Sequence, residues 1–234
     1  MITVVLAQAE TSASDSFLDI VLSGGAVGLA IVLLLAGLSM AALALVVEHL
    51  LTIRREVLAP SGLAEGVAKK LGEANLPAAA SACDMQPSFL ASVVRAGLIE
   101  TDGGWPAVEK AMEDSAAEGA ARLFRKIEYL SVIGNIAPMV GLLGTVVGMI
   151  FAFQEVANTQ GAARAAELAS GIYQALVTTV GGLIVAIPSL AAFAIFRNRV
   201  DGLVAEASHL ATGATRPLKR MLLQGGKRKV EGGP

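Results

Sequence analysis

Two uncharged apolar stretches constrain this chain more than anything else in it. Gly134 to Phe153 reads G-N-I-A-P-M-V-G-L-L-G-T-V-V-G-M-I-F-A-F, with four glycines, one proline, one threonine and no charge. Gly171 to Phe196 is as apolar, with Thr178, Thr179, Gly181, Gly182 and Pro188 inside it. Each is long enough for a helix crossing the hydrocarbon core of a bilayer, which takes roughly 20 apolar residues. A short polar gap separates them, so together they predict a transmembrane hairpin.

Small residues decide what such helices pack against. Lipid tails are as apolar as leucine, so membrane helices associate by close approach of their backbones. Gly144 and Gly148 form a G-x-x-x-G, with Gly141 a turn earlier on much the same side. Thr178, Gly182 and Ala186 form a row at spacing four, beside Gly171, Ala175 and Thr179. Packing alone accounts for the glycines. Pro138 and Pro188 each remove a backbone donor and free a carbonyl one turn back, at Gly134 and Ile184, so each is a packing or kink position.

The threonines carry two readings. A threonine in a membrane helix commonly bonds a carbonyl one turn earlier, here Gly141 for Thr145 and Ala175 for Thr179. Helical rise puts Thr145 ~12 Å from the helix end at Phe153, and Thr179 ~16 Å from Leu168, where the returning helix is expected to start. In an antiparallel hairpin the two hydroxyls fall at similar depth and could line a polar path.

The run I-A-P-M-V-G-L-L-G-T-V-V-G-M-I-F-A-F (Ile136 to Phe153) and the run G-I-Y-Q-A-L-V-T-T-V-G-G-L-I-V-A-I-P (Gly171 to Pro188) resemble the second and third membrane helices of the ExbB/TolQ/MotA proton-channel family, most closely its ExbB/TolQ branch. The order and spacing of the preceding segments fit as well. The central soluble region fits in length and helical character.

The rest of the chain is arranged around the hairpin. A 54% hydrophobic content exceeds the roughly 45–50% of soluble domains. The single Cys83 excludes an internal disulfide and a cysteine metal cluster, and His49 and His209 are far apart, so no metal or cofactor site is expected. There is no P-loop, dinucleotide fingerprint or H-E-x-x-H, and no nucleophile–base set, so an enzyme is not expected. Lys227-Arg228-Lys229 fits an anchor beside membrane spans better than a nucleic-acid contact.

Residues 1–24 form an N-terminal segment with two readings. Ile2 to Ala9, ending Ala7-Gln8-Ala9, resembles a signal-peptidase site without preceding basic residues. Alternatively, Ser14 to Leu22 forms an interfacial helix with Phe17, Leu18 and Val21 on one side. Residues 25–47 are the first span. Residues 48–128 form a soluble helical region, with short helices expected at Ser61–Leu71, Pro77–Cys83 and Ser88–Ile99. A further helix starts at Trp105-Pro106 and is expected to run unbroken into the second span, residues 129–153. Its charges, Glu109, Lys110, Glu113, Asp114 and Glu118 among them, are a solvated face or a partner contact. Residues 154–167 are a connector and 168–196 the third span. Residues 197–234 are a helix to about Met221 and then a tail expected to lack structure.

Basic residues set the orientation. Arg54, Arg55, Lys69, Lys70, Arg122, Arg125, Lys126, Arg197, Arg199 and the tail fall on one side, and Arg164 alone on the other. The positive-inside rule then puts the central region and C-terminus in the cytoplasm and the N-terminus outside. Three spans so oriented match the ExbB/TolQ arrangement and not the four-span MotA branch. The expected fold is therefore an all-α integral membrane protein, with three transmembrane helices, long helices extending into the cytoplasm and a small helical region there.

No carboxylate, histidine, lysine or arginine lies inside any span; Glu48, Glu128, Glu155 and Glu167 sit at the boundaries. Protons crossing a membrane protein pass through ionisable side chains or ordered water. If this chain conducts protons, the titrating carboxylate comes from a second protein. The resemblance implies which: a single-span ExbD/TolR-type partner whose aspartate carries the proton. By the same resemblance Thr145 and Thr179 are the pore-facing hydroxyls of the ion pathway, and Gln174 and Thr178 are pore-lining candidates. It also implies a ring of five copies enclosing two partner helices in the bacterial inner membrane, driving a TonB/TolA-type periplasm-spanning protein. Many relatives carry glutamate where this chain has Gln174, and an amide does not titrate. Two other classes stay open from the residues alone: a structural membrane scaffold and a free-standing ion channel.

Overall fold

The computed structural model describes residues 25–158 and 165–231, with the side chains of 25, 165–167, 174 and 225–231 left aside. The readings placed on residues 1–24, on Gln160, Gly161 and Arg164 of the connector, and on 232–234 lie outside the described residues. Those described form helices throughout: α1 (Gly25–Thr52), α2 (Arg55–Leu58), α3 (Leu63–Gly72), α4 (Leu76–Met85), α5 (Phe89–Ile99), a 3-10 turn (Thr101–Gly103), α6 (Gly104–Asn158), α7 (Ala165–Ala214) and α8 (Arg216–Glu231). Three of them, α1, α6 and α7, are long and apolar enough to cross a membrane. The fold is all-α.

Local chemistry explains the boundaries. Ser88 caps α5 by accepting from the Ala91 N–H at 3.1 Å, and Asn75 caps α4 by accepting from Ala78 N–H at 3.1 Å, with Pro77 in the first turn. Each satisfies one of the four donors a helix start leaves orphaned. Gly104, at φ +77°, supplies the left-handed turn from which α6 departs.

Helix α6 runs 55 residues and α7 runs 50, through Pro138 and Pro188 respectively. By helical rise α6 is ~82 Å long, far more than the ~30 Å of a bilayer core. It begins at Gly104 and continues without a break into the apolar stretch. The returning helix starts at Ala165 rather than Leu168, and α6 carries on to Asn158, so helical backbone occupies both ends of the expected connector. Helix α7 stops at Ala214. Pro217 has no N–H for the Gly213 carbonyl, and the chain restarts as α8, where the Lys219 N–H bonds the Thr215 carbonyl at 3.0 Å. The tail expected to lack structure beyond Met221 is instead helical to Glu231. Leu218 is buried and Met221 and Leu222 pack on the same core, which fixes the first turns, and propagation adds one bond per residue.

The chain forms two compact units. The first contains α1 up to Val46, α6 from Tyr129 and α7 to Phe193. Its core is small: Ile31 and Leu35 of α1 meet Ala137 and Val140 of α6 and Ala186 of α7. Most large apolar side chains here, such as Leu33, Met40, Leu43, Met139 and Ile187, are exposed in the single chain, as expected of helices solvated by lipid or other copies.

The second unit contains residues 47–128 and those from Ala194 onward. Val67, Leu71, Leu90, Val94, Val108 and Leu218 are among its most deeply buried side chains. His49 is buried with them, its Nε2 3.2 Å from the Lys126 carbonyl and its ring edge-on to Phe196 at 5.5 Å. The Cys83 thiol is buried too. Burial pushes its pKa up, the neighbouring Asp84 carboxylate adds to this, and Arg95 opposes it.

Candidate functional site

The hairpin of the first unit is joined by a seam of small residues with a regular antiparallel register. A Cβ added at Gly171 would meet the Ala152 Cβ at 2.8 Å, and one at Gly148 would meet the Ala175 Cβ at 2.8 Å. Gly144 lies against the Thr178 side chain, and Gly141 against the Thr178 carbonyl and Thr179 Cα, at 2.8 and 2.9 Å from where its Cβ would be. A Cβ at Gly182 would come within 2.5 Å of the Ala137 carbonyl oxygen, and one at Gly134 within 2.6 Å of Leu190 Cγ. The partner position falls on one helix as it rises on the other, in steps near four, which is the spacing of a single helical face. Gly141, Gly144, Gly148 and Gly182 all lie in this seam.

Two hydroxyls, Thr178 and Thr179, lie within the seam, and a third, Thr145, lies on α6 beside it. Thr178 Oγ1 is 2.7 Å from the Ala175 carbonyl and 3.1 Å from the Gly141 carbonyl across the hairpin. Thr179 Oγ1 donates to the same Gly141 carbonyl at 3.1 Å. Thr145 Oγ1 donates to Leu142 O at 2.7 Å. Two expected local bonds are therefore replaced. Thr145 uses the carbonyl three residues back rather than Gly141, and Thr179 reaches across the hairpin rather than back to Ala175. The reason is geometric: the glycine seam brings the Gly141 carbonyl, which has two lone pairs, within reach of the neighbouring helix.

Gly141 thus links Thr178 and Thr179. Its carbonyl faces both of them, and Thr145 follows one turn, ~6 Å, along α6. Thr145 is 8% exposed in the single chain, while Thr178 and Thr179 are half-buried. Each hydroxyl proton is directed at a carbonyl, so each oxygen retains its lone pairs as acceptors. The Gln174 side chain lies outside the described residues; its backbone is part of α7. Pro138 is half-buried and Pro188 exposed, both within unbroken helix. Sequence reasoning missed the Gly141 carbonyl as a shared acceptor, and also Ser189, buried with its hydroxyl on the Val185 carbonyl at 2.7 Å. Among the described residues no group of three or more metal-ligating side chains occurs.

Comparison with known proteins places this hairpin in context. The model of the MotA/TolQ/ExbB proton channel family matches residues 84–209. The chain is 39% identical over 83 residues to the Biopolymer transport protein exbB1 of Vibrio cholerae, a match covering 36% of each. It is 33% identical over 106 residues to the Tol-Pal system protein TolQ of Pseudomonas aeruginosa, covering 45% of this chain and 46% of that one. A longer match, 29% identical over 166 residues, covers 70% of this chain and 79% of the putative biopolymer transport protein ExbB-like 3 of Synechocystis. The first two matches thus span less than half the length of those relatives.

Proposed function

Because the chain belongs to the MotA/TolQ/ExbB proton channel family, we propose that it is the channel-forming subunit of an ExbB–ExbD or TolQ–TolR type motor in the bacterial inner membrane. The observation that carries this reading is that spans without a carboxylate, histidine, lysine or arginine hold two hydroxyls, Thr178 and Thr179, on the Gly141 carbonyl, with the Thr145 hydroxyl one turn along α6. The spans offer a proton no carboxylate, imidazole or amine of their own, so the carrier is a carboxyl on the membrane helix of an ExbD/TolR-type partner.

The hydroxyls then discriminate between the two states of that carboxyl. A protonated acid donates to the free lone pair of a threonine oxygen without disturbing the hairpin. An ionised carboxylate needs a donor, which Thr179 supplies only by turning its hydroxyl away from Gly141. An unpaired charge in this setting costs several kcal/mol, so the carboxylate is held wherever a hydroxyl turns and moves on once protonated. The apolar wall between hydroxyls suits the neutral form.

In this reading five copies form the ring, and their second and third spans surround the partner helices. The N-terminus is periplasmic, residues 48–128 and the C-terminus are cytoplasmic, and the output is force on a TonB- or TolA-type protein. The test is proton uptake into proteoliposomes holding the full chain with an ExbD/TolR-type partner, comparing wild type with Thr145→Val and Thr179→Val. Each substitution keeps shape and removes a hydroxyl. Uptake at the wild-type rate in both variants would overturn the assignment.

A further inference from the structure

Two polar side chains stand in the second span ahead of Pro138 and take no part in the glycine seam. Asn135 is exposed; its amide Nδ2 donates to the Ser131 carbonyl at 2.8 Å and lies 3.4 Å from the Ser131 hydroxyl oxygen. Among the described residues the Asn135 Oδ1 receives no hydrogen bond, and the Ser131 hydroxyl proton reaches no acceptor. The pair therefore presents a free acceptor and a free donor side by side. Pro138 adds a third polar group: it has no N–H, so the Gly134 carbonyl lacks the amide donor four residues on.

The sides of α6 that meet other helices lie elsewhere. Val140 belongs to the core with Ile31 and Leu35 of α1, and Gly134, Gly141, Gly144 and Gly148 turn to α7. At about 100° per residue, Ser131 points ~180° from Val140 and ~40° from Thr145, with Asn135 ~80° from Thr145. Helical rise puts Asn135 ~15 Å from Thr145 and ~9 Å inside a span that starts at residue 129. Hydrocarbon offers an amide no partner at that depth, and membrane proteins turn such groups to the bundle interior or to water.

We propose that Ser131 and Asn135 hold water in the ion pathway, between the level of Thr145 and the cytoplasmic surface. This rests on the reading of the chain as the channel-forming subunit, with the first helices outside and the second and third around the partner. The side of α6 opposite α1 then faces the partner helix. A proton released by the partner's carboxyl passes to this water and the carboxylate stays behind. The hydronium formed donates to the Asn135 Oδ1 and the Ser131 oxygen, and the Gly134 carbonyl is a further acceptor on the way from Thr145.

Cys83 is the only cysteine, so Cys83→Ala gives a background for placing a single thiol. In proteoliposomes holding the full chain and an ExbD/TolR-type partner, Asn135→Cys and Ile136→Cys are each labelled with trimethylammonioethyl methanethiosulfonate. Ile136 is exposed too, but points ~180° from Thr145. The expected result is labelling of Asn135→Cys at least tenfold faster than of Ile136→Cys. Proton uptake should fall at least tenfold in Asn135→Leu and recover to at least half of wild type in Asn135→Gln, with the partner retained equally in both. Three outcomes would each defeat the proposal: equal labelling of the two thiols, uptake at the wild-type rate in Asn135→Leu, or equal loss in the leucine and glutamine variants. An Asn135 seated against a second copy of the chain would give the first of these. Absence of partner-dependent uptake in the wild type would instead sink the motor reading, with the labelling contrast still deciding whether this face is hydrated.

Discussion

Thr178 of α7 occupies the space that a side chain on Gly144 of α6 would need: a Cβ built there falls 2.7 Å from the Thr178 Cβ. Real Cβ contacts are essentially never that short, and here the obstacle is a branched side chain held by two carbonyls rather than a flexible end. Gly144→Val should therefore destabilise the hairpin by about 1–3 kcal/mol, the usual cost of overpacking. Gly37→Val is the control, because open space surrounds that position on α1. Thermal melts in one detergent should show a clear loss for the first and little change for the second.

Thr145 and Thr179 separate a structural role from a chemical one. The Thr179 hydroxyl bonds across the hairpin, and the Thr145 hydroxyl bonds within its own helix turn. Interhelical hydrogen bonds in membrane proteins average about 0.6 kcal/mol, with a maximum near 1.7. Thr179→Val should lower the melting temperature measurably and Thr145→Val should barely move it. Loss of partner-dependent proton uptake in a Thr145→Val protein of unchanged stability would mark that hydroxyl as part of the pathway.

The caps of the second unit give a prediction independent of the membrane. Ser88→Ala and Asn75→Ala each remove an acceptor from a helix start, at a cost of roughly 0.5–2 kcal/mol. Because the two caps share no partner, the double variant should lose about the sum of the single losses in denaturant titrations.

Cys83 should be slow to alkylate in the folded chain and fast once it is unfolded. Burial and the Asp84 charge both disfavour its thiolate, which is the reactive form. The sign for stability follows. With the folded pKa above the unfolded one, the native state keeps its proton longer. Stability is intact below the unfolded thiol pKa and declines as pH climbs from there towards the folded value. Maleimide labelling rates across an alkaline pH series check both statements.

Much of the architecture was legible because it depends on long, uniform patterns. Uncharged runs mark the spans, and the absence of a helix stop between Trp105 and Pro138 foretold the continuity of α6. The Ser88 and Asn75 starts were recoverable to within two residues from polar and proline punctuation. What escaped was whatever needs two segments at once. The Gly141 carbonyl is invisible as an acceptor until the seam brings α7 against it, and local spacing alone assigned Thr145 and Thr179 the wrong acceptors. The helical tail escaped for a similar reason: its Gly- and Lys-rich composition looks unstructured until Leu218 is seen buried in the core.

The glycine seam also governs how this chain can vary. At Gly141, Gly144 and Gly182 the opposing helix leaves room for a hydrogen atom and little else, so these sites are spelled from a very short alphabet. Outward-facing positions such as Met139, Leu142 and Ile187 are largely exposed in the protomer and have room for a swap. Random mutagenesis should therefore partition the hairpin into an intolerant stripe and a permissive one, and the boundary between them can be drawn before a single variant is made.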